Sequence, residues 1–286
     1  MIGSRTPAAP RARRGRAATA VLAALMLALV SLGPGQSALA RESRGGTAKP
    51  TVVLVHGAWA DASSWSKVVA RLQDDGYAVA AVANPLRSLP GDAAYVRTYL
   101  DTLTGPVVLV GHSYGGAVIT NAATGSANVK ALVYVNAFAP DEGEAVTALA
   151  GPDSALSAPD PTTVFDFVPA TLPPTADTDL YLKRSTVFTS FATGLSREEK
   201  AIVAATQRPA TIGALNGPSG APAWRTIPSW YLIGNRDKII PPAAQRAMAE
   251  RAGSTVVEYD AGHLGLMTAP ATVTRVIERA ARASVH

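Results

Sequence analysis

Cysteine is absent from the chain of 286 residues, and histidine is rare. Without cysteine there is no thiol nucleophile, no disulfide framework and no thiolate-bound zinc or iron–sulfur centre. There are only four histidines, His56, His112, His263 and His286. A zinc site built on several of them is therefore not predicted either. Any histidine that acts as a general base must be one of these four.

A basic surface is also missing from most of the chain. The formal net charge is +5, but residues 1–40 contain five arginines and no lysine or acidic residue. The remaining residues are balanced between basic and acidic side chains, so the excess belongs to this segment alone. A nucleic-acid partner is therefore not predicted.

The first 40 residues have the three-part layout of a secretory signal peptide. A basic stretch at 11–16 precedes an apolar run at 17–32, and the small triplet Ala38-Leu39-Ala40 follows. This layout predicts cleavage after Ala40 and a secreted or extracytoplasmic protein with no stable membrane association. The alternative is an uncleaved anchor, although the apolar run is shorter than the ~20 residues that a membrane-spanning helix needs.

Apolar, β-branched segments alternate with segments of helical periodicity along the rest of the chain. The predicted strands are 51–55, 77–83, 107–110, 131–135, 229–233 and 255–259. The predicted helices are 64–75, 92–103 (capped by Asp92), 114–123, 242–252 and 269–281. This alternation predicts an α/β fold with a mostly parallel twisted sheet flanked by helices.

The alternation is interrupted at 139–222 by proline-rich and polar sequence, with helical pieces at 180–192 and 196–206. This segment is interpreted as an inserted helical cap. The core then comprises 41–138 and 223–286.

A candidate nucleophile lies between a predicted strand and a predicted helix. Residues 111–116 read Gly-His-Ser-Tyr-Gly-Gly, which is the G-x-S-x-G pattern in the strand–turn–helix context that gives it meaning. Glycines at 111 and 115 avoid side-chain clashes in the strained turn, so that Ser113 is presented to the site. The alternative is an ordinary glycine-rich turn.

Candidates for the base and the acid follow later predicted strands. His263 comes just after the strand at 255–259, at the edge where open parallel sheets build their sites. Asp237 follows the strand at 229–233, which gives the order Ser…Asp…His known for one triad class; Asp141 is the rival acid. His56 and His112 are expected to have structural roles. His56 adjoins Gly57 in the loop after the first strand, and the His112 side chain should point away from Ser113.

The oxyanion would be held by two backbone N–H groups. One belongs to Tyr114, at the start of the predicted helix, and the other to Ala58, just after the first strand. Apolar aromatic walls are usual for small-molecule pockets, and all five phenylalanines fall in or beside the insertion. The pocket candidates are Trp59, Phe138, Phe165, Phe167 and Phe188.

These motifs together resemble the α/β-hydrolase superfamily, and within it small bacterial esterases related to the plant methylesterase and hydroxynitrile lyase group. The resemblance rests on residues 55–59, 111–116, 234–237 and 262–263, which bracket nearly the whole chain after the leader. It implies a helical cap over the site and no cofactor.

The expected function is that of a secreted serine hydrolase that cleaves esters of small or medium apolar molecules through Ser113, His263 and Asp237. Two alternatives remain. A hydroxynitrile lyase would use the same three residues, but the lysine that follows the catalytic histidine in such lyases is Leu264 here. A non-catalytic ligand receptor on the same scaffold is the other. The sequence does not predict the natural ester or the oligomeric state.

Overall fold

The computed structural model describes residues 3, 49–171 and 173–284. The predicted signal peptide lies outside the described residues apart from Gly3. In chain order the strands are β1 (Thr51–Val55), β2 (Val79–Val82), β3 (Val107–Ser113), β4 (Val129–Ala137), β5 (Phe165–Val168), β6 (Asp179–Leu182), β7 (Ala210–Thr211), β8 (Ser229–Gly234) and β9 (Thr255–Tyr259). The helices are α1 (Ser66–Asp74), α2 (Leu89–Asp101), α3 (Tyr114–Ala122), α4 (Val146–Ala150), α5 (Arg184–Thr186), α6 (Arg197–Ala205), α7 (Ile212–Asn216), α8 (Pro242–Arg251), α9 (Gly265–Thr268) and α10 (Pro270–Ala283).

The main sheet has six strands in the order β2-β1-β3-β4-β8-β9, and every neighbouring pair is parallel. Its central strands are mostly apolar, and β3 is buried along its whole length, as expected when helices cover both faces of a sheet. The predicted α/β architecture is therefore confirmed, and the predicted core elements are found within a few residues of their expected bounds.

The strand order places the candidate residues in two adjoining groups. The loop after β1 lies beside the end of β3, because these strands are paired. Strands β4, β8 and β9 are neighbours in turn, so the segments after them share the same edge of the sheet. This edge holds the carboxyl ends of the strands, where open α/β sheets bind their ligands.

The insertion between β4 and β8 contains a sheet as well as helices. Strands β5, β6 and β7 form an antiparallel sheet in that order. A helix was expected to begin at residue 180, but Asp179–Leu182 is a strand in which Leu180 and Leu182 are buried and their neighbours are half-buried. That period of two is typical of a strand with one buried face. The short helix α5 and a π-helical turn at Val187–Phe191 follow it.

Helix α2 begins earlier than its sequence suggested. Its N-cap is Ser88, whose side chain accepts a hydrogen bond from the Gly91 N–H, and Pro90 fits the first turn because it needs no hydrogen-bond donor there. The prediction that Asp92 caps this helix is therefore wrong. Asp92 lies one turn further on and is buried.

No helix within the described ranges is both long and apolar enough to cross a membrane.

Candidate active site

Ser113 lies at the sharp turn between β3 and α3. Its backbone has φ 53° and ψ −126°, a left-handed conformation that costs a non-glycine residue about 1–3 kcal/mol and persists only when the surroundings impose it. The turn brings the chain back on itself so closely that a Cβ on Gly111 would lie 2.5 Å from the Gly115 carbonyl oxygen. Glycine is therefore required at 111 for this turn to form.

The three side chains predicted to act together are joined by hydrogen bonds. The His263 Nε2 atom lies 2.9 Å from the Ser113 Oγ atom. On its other side, the His263 Nδ1 atom lies 2.9 and 3.1 Å from the two carboxylate oxygens of Asp237. Because a carboxylate accepts hydrogen bonds, Nδ1 carries the proton and Nε2 is left to accept the serine hydroxyl. All three residues are almost fully buried.

Asp237 is held by four further donors. Its Oδ1 atom accepts from the backbone N–H groups of Ile239 at 2.8 Å and Ile240 at 3.1 Å. Its Oδ2 atom accepts from the side-chain amides of Gln245 at 2.9 Å and Asn136 at 3.1 Å. The carboxylate is thus fixed in one orientation toward His263.

Asn136 and Gln245 were not found by sequence reasoning. Asn136 has a φ of 46° and also donates to the Gly262 carbonyl oxygen, so it joins the loops that carry Asp237 and His263. The one signal in the sequence was a polar residue near the end of an apolar strand. Gln245 lies in α8, on a face that cannot be identified from a helix with so much alanine.

The rival acid Asp141 lies outside this group. Its carboxylate forms an ion pair with the Arg225 guanidinium at 2.5 Å, on a partly exposed surface. The structure therefore brings Asp237, and not Asp141, to His263.

His56 and His112 are buried beside the site without reaching Ser113 Oγ. The Nε2 atom of His56 accepts from the Asn84 backbone N–H at 3.0 Å, while that of His112 donates to the carbonyl oxygen of His263 at 2.9 Å. Burial lowers the pKa of both imidazoles, that of His112 well below its ordinary value. Both rings are therefore neutral and serve to hold backbone segments.

Two backbone N–H groups are free to bind an oxyanion. Tyr114 N–H belongs to the first residue of α3, where a helix leaves such groups without an internal partner. The Ala58 N–H takes part in no backbone hydrogen bond of the described residues. The loop before Ala58 approaches Ser113 closely, since a Cβ on Gly57 would lie 2.6 Å from the Ser113 Cβ atom.

The side chain of Tyr114 is anchored away from the Ser113 hydroxyl. Its hydroxyl donates to the Asp92 Oδ2 atom at 2.8 Å, and the Arg87 backbone N–H donates to Oδ1 at 3.0 Å. Burial raises the pKa of the Asp92 carboxyl against the opposing effect of these hydrogen bonds. This buried contact ties the first turn of α2 to the first turn of α3, where the Tyr114 N–H lies.

A cavity of about 460 Å³ opens above Ser113. Ser113, Ala58 and Tyr114 line it together with four of the five predicted pocket residues, which are Trp59, Phe138, Phe165 and Phe167. The prediction for Phe188 is wrong. Phe188 lies outside the cavity, and its ring centre is 4.5 Å from the Arg184 guanidinium carbon. The reason is that the turn at 187–191 directs Phe191 inward and Phe188 away.

The cavity wall is apolar inside and polar but uncharged at the rim. No charged side chain of the described residues lines it. Its buried part is made of aliphatic and aromatic side chains, and the exposed rim carries Thr147, Ser157, Thr162 and Asn216. Such a wall suits an uncharged, mostly apolar molecule.

Comparison with known proteins identifies the family of this chain. Residues 52–276 match the alpha/beta hydrolase family. The chain belongs to this family. Its predicted resemblance to the plant methylesterase and hydroxynitrile lyase group is also confirmed.

Two relatives match shorter stretches of this hydrolase. A carbendazim-hydrolysing esterase from Nocardioides sp. (strain SG-4G) is 34% identical over 110 residues, covering 34% of this chain and 46% of that enzyme. An alpha-hydroxynitrile lyase from Arabidopsis thaliana is 35% identical over 103 residues, covering 31% of this chain and 40% of the lyase. These matches span less than half the length of either relative.

The fold is shared over a longer stretch. The crystal structure of the methylesterase MES16 from Arabidopsis is similar to this hydrolase with a TM-score of 0.64 and 20% identity, covering 81% of this chain and 98% of the other. Family membership together with esterases among the relatives supports a hydrolase.

Proposed function

We propose that the protein is a serine esterase that cleaves carboxylic esters of small or medium, uncharged and mostly apolar molecules. The observation that carries the proposal is the hydrogen-bonded series Ser113–His263–Asp237 at the floor of an apolar cavity. A serine hydroxyl is a weak nucleophile on its own, and a neutral imidazole oriented by a carboxylate is the arrangement that activates it.

In the first half of the reaction the Ser113 Oγ atom attacks the ester carbonyl carbon while His263 Nε2 takes the hydroxyl proton. The electron pair of the carbonyl double bond moves to its oxygen, where the Ala58 and Tyr114 N–H groups stabilise the negative charge. Collapse of this intermediate breaks the bond to the alcohol, which leaves with the proton from His263. Asp237 stabilises the imidazolium in between.

In the second half a water molecule releases the acid. His263 takes a proton from the water as the water oxygen attacks the acyl carbon, and the oxyanion forms again between Ala58 and Tyr114. When the intermediate collapses, Ser113 leaves and recovers its proton from His263. The carboxylic acid is then free, and the enzyme returns to its starting state without a cofactor.

A series of p-nitrophenyl esters of increasing acyl length tests this proposal. Each added methylene that leaves water for the cavity contributes about 0.8 kcal/mol, so kcat/KM should rise by up to about fourfold per methylene until the 460 Å³ are filled and then fall. The variant Phe167→Ala should move the optimum to longer acyl chains, whereas Phe188→Ala, outside the cavity, should leave it in place. A profile that does not depend on acyl length would contradict an apolar acyl pocket.

The lyase alternative is disfavoured by Leu264, which is buried and cannot supply the charge of a lysine. Mandelonitrile added to the same assay should release benzaldehyde no faster than it does in buffer without the protein. The p-nitrophenyl ester assay also distinguishes an esterase from a receptor without activity, because a receptor would bind the esters and release no p-nitrophenol.

The N-terminal layout supports a proposal of export and removal of the leader. Amino-terminal sequencing of the protein recovered outside the cytoplasm should begin at Arg41. Recovery of the full-length chain from the membrane fraction would instead indicate an anchored enzyme.

A further inference from the structure

We propose that Trp59 is a positioning residue through which the inserted segment sets the oxyanion-binding Ala58 N–H. The inference rests on the proposed esterase function, because it concerns the group that would hold the oxyanion. Trp59 follows Ala58 directly and is almost fully buried. Its φ of 58° is a left-handed conformation that a tryptophan does not adopt without constraint from its surroundings.

The constraint comes from the insertion by two hydrogen bonds. The Trp59 backbone N–H donates to the Arg208 carbonyl oxygen at 2.9 Å. Its indole Nε1–H donates to the carbonyl oxygen of Leu180, in β6, at 2.8 Å. Both N–H groups of Trp59 therefore donate to carbonyl oxygens of the insertion.

The indole ring makes two further contacts with the insertion. Its centre lies 5.7 Å from that of Phe165 and 6.0 Å from that of Phe191, which meets it edge to face. Phe191 in turn lies 5.3 Å from the His263 ring. The indole ring is therefore held between Phe165, in the cavity wall, and Phe191, which packs on His263.

On the other side, Ala58 is tied to the main sheet. His56 is fixed to the next loop by the Asn84 backbone N–H on its Nε2 atom and by the Asn84 side-chain amide on its carbonyl oxygen. The Ala58 N–H therefore lies between an anchor in the core at His56 and an anchor in the insertion at Trp59. Its direction depends on both.

Gln207 holds in place, relative to each other, the two carbonyl oxygens that accept from Trp59. Its side chain accepts from the Leu182 N–H at 2.8 Å and donates to the Leu182 carbonyl oxygen at 2.9 Å. This pair joins the segment that carries Arg208 to the strand that carries Leu180. Gln207 does not line the cavity.

The variant Trp59→Phe keeps an aromatic ring and removes the indole donor. We expect kcat for a p-nitrophenyl ester to fall about tenfold, less than the ~10²–10³-fold loss that follows removal of a whole oxyanion donor. Trp224→Phe is the matched control. Trp224 Nε1–H also donates to a carbonyl oxygen of the chain, that of Pro140 at 3.0 Å, but Trp224 does not line the cavity, so kcat should be unchanged.

A pair of inhibitors separates positioning from cavity shape. A hexyl trifluoromethyl ketone is attacked by Ser113, whose proton passes to His263, so that the new hemiketal oxygen is an oxyanion at Ala58 and Tyr114. The hexyl methyl ketone fills the same cavity mainly as the intact ketone. In Trp59→Phe the affinity for the trifluoromethyl ketone should fall about as much as kcat, and the affinity for the methyl ketone much less.

Gln207→Ala provides a second variant that leaves Trp59 and the cavity wall intact. We expect a loss of kcat of about threefold and a parallel loss of trifluoromethyl ketone affinity. Parallel losses in this variant would support the inference even if Trp59→Phe did not fold. If both variants lower only the melting temperature, or weaken both ketones equally, Trp59 is merely structural. Absence of esterase activity in the unaltered protein would instead refute the proposed function.

Discussion

Replacement of Ser113 by alanine is expected to lower kcat for ester hydrolysis at least about 10⁴-fold, because nucleophile and base act as one unit and neither works without the other. The remaining rate should come from the oxyanion donors and the cavity alone. The measurement is kcat for the preferred p-nitrophenyl ester in the variant and the unaltered enzyme. A fluorophosphonate probe, followed by peptide mapping, should label the unaltered enzyme at Ser113 and leave the variant unlabelled.

Ser229→Ala is a matched control for this variant. Ser229 is also a buried serine, but it is the first residue of β8, and its hydroxyl pairs with that of Ser254 at 2.7 Å, at the opposite end of the sheet from the site. The control should keep both kcat and labelling. Full activity in Ser113→Ala, or labelling at a different serine, would remove Ser113 from the mechanism.

Asp237→Asn is expected to lower kcat by about 10⁴-fold, the loss seen when the acid of such a triad becomes an amide. Asparagine has one acceptor oxygen where the carboxylate has two, and here both oxygens accept from several donors. Whichever way the amide turns, its NH₂ group faces another donor. If it faces His263, the imidazole must protonate Nε2 and can no longer accept the serine proton.

The measurement is kcat together with the melting temperature, which shows whether the variant is folded. Asp141→Asn is the control, since Asp141 also follows a core strand but pairs with Arg225 at the surface; exposed ion pairs contribute at most about 1 kcal/mol, and activity should be kept. The reverse result, with activity lost in Asp141→Asn and kept in Asp237→Asn, would identify Asp141 as the acid.

The sequence was sufficient for residues whose positions follow from strand order. Ser113 ends one strand, Asp237 and His263 come just after two others, and parallel strands bring their carboxyl ends to one edge. The sequence could not show Asn136 and Gln245, because their contacts with Asp237 depend on how a strand end and a helix face pack in three dimensions. The same limit applies to Asp92, whose helical position suggested a cap, while burial against Tyr114 depends on the packing of α2 on α3.

The insertion was the least predictable part for a different reason. Its elements are only a few residues long, so helical and strand periods cannot be separated, and Leu180–Leu182 reads as either. Which of Phe188 and Phe191 is buried depends on the π-helical turn at 187–191, which has no recognised sequence signature here. Four of the five pocket residues nevertheless line the cavity. Phe165 and Phe167 do so because apolar aromatic side chains in a small insertion have few other places to be buried, and Trp59 and Phe138 because they follow the carboxyl ends of β1 and β4.

The arrangement of the sheet has a consequence for synthesis of the protein. The proposed nucleophile, Ser113, lies on β3, whereas the proposed base, His263, follows the edge strand β9, 150 residues later. At about 5–20 residues per second on the ribosome, the growing chain contains Ser113 for roughly eight to thirty seconds before His263 has been made. A partly synthesised chain that ends before β9 therefore lacks the proposed base, and we expect it to show almost no ester hydrolysis.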